Sequence, residues 1–134
     1  MPPQPAVILV EDSPYESALA YVALTRETSS VVQVADLREA ARLASGGGRG
    51  LAILGHRAIR RASNRQLRAL GIPAVGIIGT HLSEADDRRA RAAGLRAVYR
   101  RPGDWKAYLE LLGRVLAEFR VTRTDLALRP ARTS

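Results

Sequence analysis

The chain has 134 residues, no cysteine and a formal net charge of +8, carried almost wholly by arginine because Lys106 is the only lysine. That length suits one domain with a real core, and the lack of cysteine excludes disulfides and thiolate metal sites and agrees with a reducing cytoplasm. The start, MPPQP, has no basic leader segment, and no stretch approaches the roughly 20 apolar residues of a bilayer span, so a soluble cytoplasmic protein without a membrane partner is expected.

Short apolar runs alternate with helical stretches along the chain. AVILV (6–10), VVQV (31–34), LAIL (51–54), AVGII (74–78) and AVY (97–99) are rich in β-branched residues and read as strands buried on both faces. The first predicted helix opens at Ser13 with Pro14 and Glu16, which combine an N-cap, a proline at the first helical position and a capping box. Asp36 with Glu39 opens the second and Ser63 with Gln66 the third, while Ser83 and Asp104 cap the fourth and fifth. Gly71 and Gly94 stand where a left-handed residue closes the third and fourth. GGGRG (46–50) is a flexible connection, not a phosphate loop, since no helix or Lys-Ser/Thr follows it. Residues 1–120 form the expected domain, and 121–134 a C-terminal tail with little helical pattern.

Alternating strands and helices predict an α/β fold, a doubly wound parallel sheet with right-handed crossovers. Function in such sheets gathers beyond the carboxyl ends of the strands. Glu11 and Asp12, Gly55 and His56, Gly79 to His81, and Arg100 with Arg101 therefore share one rim.

VILVEDSP (7–14), IPAV (72–75), RRARAAG (88–94) and YRRP (99–102) together resemble the receiver domain of bacterial two-component response regulators, over the chain as far as about Phe119. The resemblance implies a flavodoxin-like (βα)5 sheet in the order 2-1-3-4-5. It also implies a pocket in which an aspartate after strand three accepts a phosphoryl group, with an acidic pair and Mg²⁺ beside it. A Thr or Ser after strand four and a Lys after strand five contact the phosphoryl oxygens in that family. Here the pair is Glu11 and Asp12, the acceptor position holds Gly55, the hydroxyl position holds Gly79 with Thr80 one residue out of register, and the lysine becomes Arg101. Ile59 replaces a proline, and Val98 the switch aromatic, with Tyr99 facing the other side. Glycine has no nucleophile, so the family's phosphoryl transfer is excluded and the pocket is expected to be degenerate. No enzyme activity, no cofactor and no tightly bound Mg²⁺ are expected, Glu11 and Asp12 being vestigial metal ligands. Arg101 is expected to fork onto Asp12 or Glu11 and lock the rim.

Other features leave several readings open. Carboxylates after a first strand also cap helices. His56 and His81 read as loop histidines; a site of two histidines and two carboxylates is conceivable, without ligand spacing to support it. From His56 to Arg68 the chain carries Arg57, Arg60, Arg61, Arg65 and Arg68 and no acid. That run reads as a solvated face, as a dock for an acidic protein, or as a nucleic-acid surface, the last being the alternative function. Trp105 and Tyr108 lie on the apolar stripe of the fifth helix with Leu109, Leu112, Leu116 and Phe119, either as core or as partner anchors. The resemblance points to the face of helix four, strand five and helix five for a homodimer or a signalling partner with an acidic or apolar surface. The expected function is that of a stand-alone, phosphorylation-independent receiver-like protein acting in signal transduction through protein contact.

Overall fold

In the computed structural model, which describes residues 6–28, 30–44, 50–79 and 83–119, five strands form one sheet in the order β2-β1-β3-β4-β5. The elements are β1 (Val7–Val10), α1 (Pro14–Glu27), β2 (Val31–Val34), α2 (Leu37–Ala44), β3 (Leu51–Leu54), α3 (His56–Arg61), α4 (Asn64–Leu70), β4 (Ala74–Ile78), α5 (Glu84–Ala93), β5 (Ala97–Arg100) and α6 (Trp105–Glu118). Every pairing is parallel, with Val7 opposite both Val31 and Leu51, and Ile77 opposite Tyr99. The fold expected from the alternation is therefore present, in the expected strand order. No helix among the described residues is long and apolar enough to cross a membrane.

The sheet divides the core because successive residues of a strand point to opposite faces. Leu9, Ile53, Val75 and Ile77 pack with Leu24 of α1 and Leu112 and Leu116 of α6. Ile8, Val10, Leu54 and Ile78 pack with Leu37, Ile59, Leu67 and Ala90 of the four helices on the other side. Val98 joins this second cluster and Tyr99 the first, as their adjacency in the strand requires. Only β1, β3 and β4 are buried along their whole length. β2 and β5 are sheet edges, and Val32 and Gln33 are exposed, so reading VVQV as a strand buried on both faces was too strong.

The third helix departs from expectation. Its Ser63–Gln66 capping box forms in full and Gly71 closes α4 at φ 68°, but a separate helix, α3, precedes it. His56 is thus the first residue of a helix rather than a loop residue. No side chain caps α3 at Gly55, and its first turn has no acid. Long-range contacts supply what local signals lack. Ile59 is fully buried in a space that a Cβ at Gly76 would invade. Arg89 of α5 donates to the carbonyls of Ala62 at 3.5 Å and Ile59 at 3.0 Å, the latter also accepting from the Ala62 N–H at 3.2 Å, and so ties down the end of α3.

Candidate functional site

The carboxyl ends of β1, β3, β4 and β5 bring Glu11, Gly55, Gly79 and Arg101 to one rim. Glu11 continues β1, donating its N–H to the Val34 carbonyl at 3.1 Å. Its side chain turns back into the protein and is 8% exposed. Oε2 accepts from the Ser13 N–H at 3.0 Å, and Oε1 stands where a Cβ at Gly55 would have to be. Burial pushes the Glu11 carboxyl above the ordinary carboxylate value; Asp12 and Glu16 add to the rise, against the hydrogen bond from Ser13. Asp12 turns the other way, accepting from Arg57 Nη1 at 3.1 Å.

Arg101 meets Glu16, one turn into α1, as a two-point fork: Nε donates to Oε2 at 3.1 Å and Nη2 to Oε1 at 2.9 Å. A Cβ at Gly79 would lie 2.7 Å from Arg101 Nη2 and 3.0 Å from Glu16 Oε1. The guanidinium carbon sits 5.9 Å from the centre of the Tyr108 ring, and Trp105 meets that ring edge-on at 6.0 Å. Burial pushes the Tyr108 hydroxyl up to about 12, with Glu16 and Glu11 adding and Arg101 opposing. The cavity left between Glu11, Glu16, Gly55, Arg101 and Tyr108 is about 10 Å³, room for one water at most.

Two expectations are corrected here. Arg101 does not fork onto Asp12 or Glu11, because Glu11 is held by Ser13 and Asp12 by Arg57, and the nearest free carboxylate is that of Glu16. Tyr108 is 3% exposed and belongs to the core, so it offers no anchor to a partner; Trp105, 38% exposed, keeps one accessible edge. Glu16 was missed as a site residue because its position matches the second half of a capping box. Only the first half forms, Ser13 Oγ accepting from the Glu16 N–H at 3.5 Å, while the Ser13 N–H goes to Glu11. Three acids within six residues were the available signal of a competition for partners.

Arg57, Arg60, Arg61, Arg65 and Arg68 are all exposed, but they do not share one face. Arg57 and Arg61 border a cleft against α2, whereas Arg68 borders a groove with Gly71 and Arg96 near the start of β4. His56 Nδ1 is buried without a hydrogen-bond partner among the described residues. Thr80 and His81 lie outside those residues, as does the predicted tail at 121–134. Among the described residues no three His, Cys, Asp or Glu side chains gather where one ion could be held.

No protein-family model and no curated protein matches the chain. Solved structures do. The response regulator in red light signalling of R. palustris superposes with a TM-score of 0.66 at 15% identity, covering 84% of this chain and 91% of that one. The phosphorylated cyanobacterial phytochrome response regulator RcpA gives 0.64 at 18%, covering 85% and 92%. The chain has the response-regulator receiver fold. A third neighbour with the same receiver fold, the receiver domain of a sensor histidine kinase from Pseudomonas aeruginosa, gives 0.61 at 22% over 83% and 96%, and its structure holds a magnesium ion in the active-site cleft. In this chain the rim is occupied from within, by Glu11 over Gly55 and by the Arg101–Glu16 pair over Gly79.

Proposed function

We propose that the chain is a degenerate receiver that acts in signal transduction by protein contact, without accepting a phosphoryl group and without enzyme activity. One observation carries this reading: the two glycine positions of the rim are occupied by the protein's own side chains, leaving about 10 Å³ of space. A phosphoryl group would find no nucleophile at Gly55 and would have to displace a buried carboxylate. Mg²⁺ asks for near-octahedral oxygen ligands, and the carboxylates here are already engaged by Ser13, Arg57 and Arg101, so the residues do not fit the ion. The rim then works as a fixed surface in place of a switch. Tyr15, Tyr21 and Val22 on α1 and Trp105 on α6 are exposed and available to a protein partner.

The test is an amide spectrum of the protein with Mg²⁺, before and after acetyl phosphate or beryllofluoride. An unchanged spectrum is expected. Shifts clustered at Glu11, Asp12, Gly55 and Arg101 would overturn the proposal.

A further inference from the structure

A cleft of about 240 Å³ opens between the start of α2 and the α3–α4 pair, beside the rim but separate from its filled pocket. Arg38, Arg57, Arg61 and Gln66 border it; half-buried Ala58 supplies apolar surface, while Leu37, which also lines it, is 5% exposed. Arg57 and Arg61 are one helical turn apart and so lie on one side of α3. Arg57 shares Asp12, but Arg38 and Arg61 have no ion pair among the described residues. The Gln66 carbonyl is taken by the Ser63 N–H, which leaves its amide hydrogens free to donate. The remaining border carboxylate, Asp36, accepts from the Glu39 N–H in capping α2.

We propose that this cleft docks a short acidic segment of a partner protein, one apolar side chain entering against Ala58 while flanking carboxylates meet Arg38 and Arg61. The inference rests on the reading that the chain acts by protein contact and names the surface and the partner's chemistry. Size agrees with the occupant: at about 240 Å³ the cleft holds one or two side chains. Charge selects its sign, because a carboxylate forked by an arginine at a partly desolvated site gains two charge-assisted hydrogen bonds. Asp12 and Asp36 at the same border would repel a continuous phosphate backbone, whereas a peptide can set its carboxylates beside Arg38 and Arg61 and its N–H groups beside the two aspartates. Arg60, Arg65 and Arg68 do not border the cleft, so no unbroken track of phosphate contacts leads into it.

The test uses the whole chain and a panel of synthetic peptides, each with a central leucine flanked by glutamates. Matching peptides carry lysine for glutamate or alanine for leucine, and a duplex oligonucleotide completes the set. The acidic leucine peptide is expected to bind and to shift the amides of Arg38, Arg57, Arg61 and Gln66. Its affinity should fall at least tenfold with Arg38→Glu plus Arg61→Glu and stay within twofold with Arg114→Glu, an exposed change of equal charge on α6. The lysine and alanine peptides should bind at least tenfold more weakly. Equal binding of all peptides, equal loss in the Arg114→Glu control, shifts elsewhere, or tighter binding of the oligonucleotide at these residues would each overturn the assignment. Should the peptide dock instead through Trp105, with Trp105→Ala abolishing it and the Arg38, Arg61 variant unaffected, the cleft is wrong while the protein-contact reading stands. Beryllofluoride-dependent binding would sink that reading too.

Discussion

Arg101 and Glu16, 85 positions apart, are joined by two hydrogen bonds of 3.1 and 2.9 Å, with both side chains no more than a third exposed. The pair ties the loop after β5 to the first turn of α1 and occupies the space over Gly79. Its geometry is that of a planar fork on a carboxylate, which a lysine cannot reproduce.

Arg101→Ala should therefore cost about 1–3 kcal/mol, since the Glu16 carboxylate is left partly desolvated and the Tyr108 ring loses its cover. Arg101→Lys should recover only part of that loss. Glu16→Ala combined with Arg101→Ala should cost less than the sum of the single changes, measured as unfolding free energies in denaturant. Strict additivity would show that the fork contributes nothing.

Gly55 is held as glycine by Glu11. A Cβ there coincides with the Glu11 carboxylate, so Gly55→Ala must drive that side chain off the Ser13 N–H, at a cost of about 1–3 kcal/mol. Adding Glu11→Ala should make Gly55→Ala nearly harmless. Unfolding midpoints of the four proteins of this cycle, wild type included, measure the coupling.

The raised Glu11 carboxyl predicts a pH dependence of definite sign. The folded chain holds this proton more tightly than the unfolded one, so the contribution to stability falls as pH rises from the ordinary value of 4.5 through the raised folded value. Below 4.5 both states are protonated and the cost disappears. Glu11→Gln keeps an acceptor for Ser13 and removes the repulsion with Asp12 and Glu16. It should be more stable than wild type at neutral pH and lose the decline, as thermal unfolding across a pH series would record.

Arg89→Ala should leave the Ala62 carbonyl without this donor and the Ile59 carbonyl with the Ala62 N–H alone, and cost about 1–2 kcal/mol. The loss should be local: amide exchange ought to quicken in α3 before it does in α6. Uniform quickening would mean that Arg89 supports the whole fold and not this helix end.

The parallel sheet, the positions of its strands along the chain and the starts of most helices were legible in the residues alone. The signals are local: β-branched runs set the strands, and Ser63, Ser83 and Asp104 each cap a helix through an N–H three residues on. The placement of Gly55 and Gly79 at the strand ends of one rim was likewise legible. What occupies the space over those glycines was settled by long-range packing. Three acids, Glu11, Asp12 and Glu16, compete for two arginines, Arg57 and Arg101, and the pairs that form span 45 and 85 positions of the chain. Spacing along a sequence cannot rank such pairings, because each depends on where a strand end and a helix turn come to rest and on which carboxylate is buried there. The same reason hid α3, a six-residue helix with no side-chain cap, held by Ile59 against Gly76 and by Arg89 from another helix. It also hid the scatter of the arginine run. A turn at Ala62 and Ser63 sends Arg61 to one cleft and Arg68 to another, and direction after a turn is set by packing, not by composition.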